Sequence, residues 1–277
     1  MAIVTLDTLK GYFNDGDLPI ESNYADLIDS LSNSPGNVIS SYLSLMGLRA
    51  FWPFTSINDV DQVMDLSSQG RRITGVSPAI RYDDGISAFP FASFNVGRYY
   101  YRDDESGLDL TGGDTIFPLA AQKGMTCGCW VRVSETPVPG SDLGIISKYN
   151  GVGSQKSFLL YRQGVNNRLT FIISGDGAGV NAIASPIDYV INEWNFVVGR
   201  FNCGNSISIF HNGSWDSNVT SIPSTIYNST ARVELGSFSG GGATWVHQGT
   251  LYFLAATALS NTIIEKLFAA TRGLFGV

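Results

Sequence analysis

Few side chains in this sequence combine the type and the spacing that chemistry needs. His211 and His247 are its two histidines, so a Ser-His-Asp triad would need one of them. No G-x-S-x-G elbow is present to expose a nucleophile. His211 stands directly before Asn212-Gly213 and reads as a hairpin-end residue, and His247 follows Trp245 beside Gly240-Gly241-Gly242, at a loop end. Cys127-x-Cys129 has a single residue between its thiols, where structural zinc sites use roughly two to four, and Cys203 is distant. Buried strand thiols are the better reading. Gly151 to Ser157 imitates the end of a phosphate-binding loop, but Gln155 stands before Lys156 where glycine is required, and a strand follows. Glycoside hydrolysis needs two carboxylates flanking the scissile bond. Asp103, Asp104 and Glu105 are adjacent acids in a charged, Gly-flanked stretch, which reads as a solvated loop.

Binding chemistry has more material. Sugars are held by aromatic platforms with polar neighbours. Three clusters qualify: Tyr99 and Tyr101, Trp215 with Asp216, and Trp245 with His247. Each could equally serve a core or an interface with a partner chain.

The elements that must carry these residues follow from composition and pattern. The chain has 277 residues, 44% hydrophobic and only 15% charged, with 31 glycines and 12% aromatics. Sparse charge with many glycines and aromatics favours short strands and tight turns over long helices. A net charge of −7 argues against nucleic acid as a partner. No apolar run approaches the roughly 18 residues that cross a bilayer, so no membrane insertion is expected. The start lacks a basic, then apolar, secretory leader, and three cysteines are too few for a disulfide framework, which fits assembly in a reducing cytoplasm.

Residues 1–34 read as a helical hairpin broken at Asn14-Asp15-Gly16-Asp17. Leu6, Leu9 and Phe13 mark its first helix; Tyr24, Leu27, Ile28 and Leu31 form an apolar stripe on the second. Too small to stand alone, this segment is expected to attach or oligomerise the chain. Residues 35–47 connect it to a domain spanning 48–277. There, strands are expected at 48–54, 125–133, 144–149, 157–162, 168–174, 194–201, 206–210, 232–236 and 250–256, with Asn212-Gly213 as a two-residue hairpin turn. The fold class is mainly β: an antiparallel two-sheet jelly-roll sandwich.

Several segments carry a family resemblance. Ala50-Phe51-Trp52-Pro53-Phe54, Asp65 to Gly70, Met125 to Val133 with Trp130, Gly144-Ile145-Ile146-Ser147-Lys148, Glu193 to Val197, Ile209 to Gly213 and Gly249 to Ile264 follow one another in order. Together they resemble the laminin-G-like branch of the concanavalin A-like lectin/glucanase superfamily. The N-terminal run Leu9 to Phe13, Gly16 to Pro19 and Tyr24 to Ser30 resembles a segment of bacteriophage tail-fibre and related virion proteins.

The first resemblance implies sugar binding. Glucanases of that superfamily carry an E-x-D-x-x-E strand, which none of the six glutamates here begins. Jelly rolls of this kind often hold a structural calcium, for which Asp59, Asp61 and Asp65 are the candidates. Leu251 to Leu254 stand where the family has an acidic closing strand, so three solvated acids are the favoured reading and no cofactor is required. The second resemblance implies a virion protein, made in the host cytoplasm and exposed on the particle. The expected function is non-enzymatic: a homotrimer bound to other virion proteins through residues 1–34, with the jelly roll adhering to a host-surface glycan. A structural capsid decoration or spike is the alternative, and a glycan-cleaving enzyme the third.

Overall fold

A computed structural model of the chain describes residues 48–54, 61–77, 81–82, 91–110, 123–134, 141–242 and 247–277. The hairpin expected over 1–34 (Leu6, Leu9, Phe13, Tyr24, Leu27, Ile28, Leu31), the connector 35–47, and Asp59 and Trp245 lie outside the described residues.

The strands are β1 (Leu48–Trp52), β2 (Gln62–Val63), β3 (Ile73–Val76), β4 (Arg81–Tyr82), β5 (Phe91–Phe94), β6 (Tyr99–Arg102), β7 (Gly124–Val133) and β8 (Leu143–Asn150). They continue as β9 (Gln155–Arg162), β10 (Leu169–Ile173), β11 (Asn181–Ala184), β12 (Trp194–Asn202), β13 (Ser206–His211), β14 (Ser214–Asn218), β15 (Val233–Leu235) and β16 (His247–Ala255). One helix, α1 (Asn261–Thr271), follows. The first sheet runs β14-β13-β12-β7-β16-β5-β4, with β1 also on β16; the second runs β11-β10-β9-β8-β15-β6-β3-β2. Neighbours pair antiparallel throughout, so the fold is the expected two-sheet sandwich.

Side-chain alternation builds the space between the sheets. Met125, Cys127, Cys129, Val131 and Val133 of β7 point inward and meet Phe158, Leu160, Phe171 and Ile173 of the opposite sheet. The two thiols are buried and free, and burial pushes both pKa values up, so they behave as small apolar side chains. Asn212 and Gly213 have φ of 45° and 95°, the left-handed pair that a tight hairpin between β13 and β14 demands. In β16 the register shifts between Thr250 and Phe253, and Leu251 has φ 53°. That bulge lets one edge of β16 take β5 against residues 247–249 and β1 against 252–255.

The outer face of the first sheet is not open to solvent. Phe51, Trp130, Phe196, Val198, Phe210 and Phe253 form a second core there, closed by Ile264, Leu267 and Phe268 of α1 and by Phe275. The helix is an addition to the expected all-strand pattern. Its apolar residues recur at helical spacing, and Ser260 precedes it in extended conformation. Trp215, expected beyond a hairpin, lies within β14, whose polar sequence gives little strand signal.

Candidate functional site

The second sheet leaves a polar cleft on its outer face. Tyr100 of β6 and Val233 and Leu235 of β15 point into the core, so alternation turns Tyr99, Tyr101 and Glu234 outward. The register sets Thr74, Tyr101 and Glu234 side by side across β3, β6 and β15. A hollow of about 500 Å³ opens here, lined by Asp103, Asp104, Tyr149, Asn150, Arg232 and Glu234 among others. A second of about 240 Å³ adjoins it, lined by Thr74, Tyr101, Arg102, Asp103, Asp104 and Glu105. Asp103 and Asp104 belong to both.

Arg232 organises the floor. Its guanidinium lies 4.5 Å from the Tyr101 ring centre and 5.4 Å from that of Tyr99. Its Nε donates to Glu234 Oε1 at 2.9 Å and its Nη2 to the Tyr99 hydroxyl at 2.7 Å. Glu234, 1% exposed, also accepts the amide protons of Gly240 and Gly241 at 2.8 and 3.2 Å, folding that loop back over β6. Gly241 has φ 88°, and a Cβ there would stand 2.6 Å from the Tyr99 ring, so only glycine lets the loop lie this close. On the far wall, burial and then the Asp142 carboxylate push the Tyr149 phenol above its ordinary pKa, keeping it a neutral donor at neutral pH.

Beneath the cleft lies an ion-pair network. Lys148, 1% exposed, donates from Nζ to Asp104 and Asp109 at 2.6 Å each. Glu105 is held by Arg71 and, at 2.7 Å, by Arg102. Partial burial works to raise the Glu105 pKa, but the hydrogen bonds and charges of Arg102 and Arg71 win and hold it below the usual carboxylate range. The acids expected as a solvated loop are therefore corrected in part: Asp104 and Glu105 are anchors, and Asp103 alone stays uncommitted. Sequence reading missed Arg232, Glu234 and Tyr149. Their only signal was the outward parity of Glu234 in a strand whose neighbours are apolar.

Residues 105–253 match the laminin G-type family of the concanavalin A-like lectin/glucanases superfamily, over more than half of the chain. The chain belongs to that superfamily. No curated protein sequence matches it. Among solved structures, it is similar to the binding domain of Paraclostridial Mosquitocidal Protein 1, at 12% identity and a TM-score of 0.61, covering 80% of this chain and 52% of that one. It is also similar to the binding domain of botulinum neurotoxin serotype G, at 15% identity and a TM-score of 0.60, covering 80% and 50%. A third is the binding domain of botulinum neurotoxin DC in complex with rat synaptotagmin II, at 13% identity and a TM-score of 0.57, covering 81% and 52%. The chain spans about half the length of each, and at these identities the likeness concerns the fold.

Within this superfamily fold, the remaining candidate residues scatter. Tyr99 and Tyr101 meet at the cleft, but Tyr99 is buried beneath Arg232 and Gly241, leaving Tyr101 as the accessible ring. Trp215 and Asp216 stand on the first sheet instead. The Trp215 ring packs on Phe210, carries Arg200 at 4.7 Å and donates from Nε1 to Glu265, while Asp216 is exposed. His247 begins β16, fully buried and stacked on Phe94 at 4.4 Å, so no face of it can touch a sugar. Asp65 is a turn clamp: its carboxylate accepts from the Phe51, Ser67 and Arg71 amides and the Ser67 hydroxyl, which leaves no oxygen for calcium. Asp61 is exposed, and no group of three or more acidic, histidine or cysteine side chains among the described residues could hold a metal ion.

His211 is buried at the end of β13, where Nε2 donates to Asn195 Oδ1 at 2.9 Å. Burial lowers its pKa to about 4; the Ile187 carbonyl and Asp188 offset only part of this. The unfolded chain therefore takes up this proton first, near its ordinary value of 6.5. The resulting stability is full above pH 6.5 and is lost as pH falls toward 4, by about 3 kcal/mol in all. Urea midpoints measured across that range should fall with acid in the wild type. They should fall measurably less in His211→Leu, where Asn212 Nδ2 still satisfies Asn195 Oδ1 at 3.2 Å.

Proposed function

We propose that this is a non-enzymatic adhesion protein of a bacteriophage virion, a tail fibre or spike, whose jelly roll binds a host-surface glycan at the cleft of the second sheet. The cleft carries the reading. It combines an accessible tyrosine ring, a fixed guanidinium, a neutral phenol, an amide and a carboxylate, the mixture of apolar platform and convergent polar groups that hydroxyl-rich ligands require. Its side chains are held by one another, so little ordering entropy is lost on binding. Solved toxin binding domains of the same fold, one of them in complex with rat synaptotagmin II, lend support to a receptor-binding role. A catalytic role has little to draw on here, since Glu234 and Asp104 are spent on internal partners. The resemblance of the N-terminal run supports residues 1–34 as the attachment to other virion proteins, in a homotrimer displayed on the particle surface.

The test is a glycan array probed with the full-length protein. Wild type should retain a set of surface glycans, and Tyr101→Ala and Arg232→Ala should each weaken retention about tenfold. Retention unchanged in both variants would place the activity elsewhere. Electron cryomicroscopy of purified particles should show the jelly roll pointing outward; a jelly roll lying flat on neighbouring subunits would make it a decoration protein instead.

A further inference from the structure

The charge balance of the cleft specifies what kind of glycan it accepts, an inference that rests on the cleft being the glycan site. The charged residues lining the two hollows, with their ion-pair partners, are Asp103, Asp104, Glu105, Asp109 and Glu234 against Arg71, Arg102, Lys148 and Arg232. Carboxylates thus exceed cations by one. Every cation is committed: Lys148 to Asp104 and Asp109, Arg71 and Arg102 to Glu105, and Arg232 to Glu234. Lys148 has no exposed surface to speak of, and Arg232 spends Nε on Glu234 and a further donor on the Tyr99 hydroxyl. Of the carboxylates, Glu234 accepts three hydrogen bonds and Asp104 takes Lys148. Asp103 is exposed, lines both hollows and has no hydrogen-bond or ion-pair partner among the described residues.

We infer that the cleft takes an uncharged or amine-bearing saccharide and excludes anionic ones, with Asp103 as the residue that reads ligand charge. An incoming sulfate, phosphate or uronate would meet Asp103, while the two cations that line the hollows, Arg102 and Arg232, are already paired with Glu105 and Glu234; drawing Arg232 away would leave Glu234 buried without its ion-pair partner. A sugar amine or hydroxyl instead gives Asp103 the donor it lacks, beside the Tyr101 ring.

The experiment uses the full-length protein on an array that carries neutral, free-amine and anionic glycans. Glucosamine oligomers, their N-acetylated counterparts and hyaluronan oligomers of equal length then serve as calorimetric probes. Every glycan whose retention Arg232→Ala weakens should be neutral or amine-bearing. Asp103→Asn should reduce the preference for amine-bearing over N-acetylated glycans by about tenfold, and Asp103→Lys should admit anionic ones. Asp103 is exposed and has no partner among the described residues, so neither variant is expected to disturb the fold. An anionic glycan that wild type retains through Arg232 would overturn the inference while leaving glycan binding intact. So would an amine preference that Asp103→Asn does not change. No retention of any class sensitive to Arg232 would remove the glycan site itself.

Discussion

Replacing Lys148 by methionine should destabilise the domain by about 3 kcal/mol or more, the range seen when one member of a buried ion pair is removed. The side chain is 1% exposed and its Nζ is shared between Asp104 and Asp109 at 2.6 Å each. Methionine fills nearly the same volume, so the loss reports the charge and not a cavity. What remains is two carboxylates without their shared cation, 30% and 18% exposed, of which Asp109 sits in sequence between the core residues Leu108 and Leu110. The variant in which Asp104→Asn and Asp109→Asn accompany Lys148→Met should recover much of the loss, since no uncompensated charge is left. Urea denaturation of the single, double and triple variants completes the cycle. Stability within about 0.5 kcal/mol of wild type in Lys148→Met would mean that both carboxylates stay hydrated and the network holds nothing.

Trp130→Ala should be comparably damaging, at about 3–5 kcal/mol. The indole is fully buried on the outer face of the first sheet, stacked on Phe275 at 4.3 Å and close to Phe196 and Phe268. Its Nε1 donates to Thr271 Oγ1 at 3.0 Å, which ties β7 to the last turn of α1. Truncation removes the ring that α1 and the C-terminal segment pack against. The apolar face should become exposed, so dye binding to hydrophobic surface should rise with the loss in thermal midpoint. Trp130→Phe keeps an aromatic ring and removes the indole donor. It should cost about 1 kcal/mol, provided Thr271 keeps its bonds to the Leu267 and Phe268 carbonyls. Equal losses in the two variants would show that the hydrogen bond, and not the stack, holds the helix.

The strand series was legible because its signals are local. The apolar runs at 157–162 and 125–133 and the turn at Asn212-Gly213 depend on residues a few positions apart, and all three appear where expected. The fold class follows from that series. The helix α1 went unforeseen because its apolar stripe has meaning only against the outer face of β7 and β12, which sandwiches commonly leave to solvent. The cleft was harder still. Tyr101, Tyr149 and Arg232 come from segments far apart in sequence, and only the pairing of β15 between β6 and β8 sets them side by side. Burial separates residues of one type in the same way: Tyr101 lines the cleft while Tyr99 lies under a glycine loop, and Asp103 has no partner among the described residues while Asp104 holds Lys148. The sequence by itself determined the strands with a strong local apolar pattern, such as 125–133, 157–162 and 194–201, since those follow from backbone sterics and nearest neighbours, whereas β2 to β6, β11 and β14 were not legible in it. The tertiary structure alone decided which outward side chains meet and which charges are already spent, because both depend on register between strands distant in the chain.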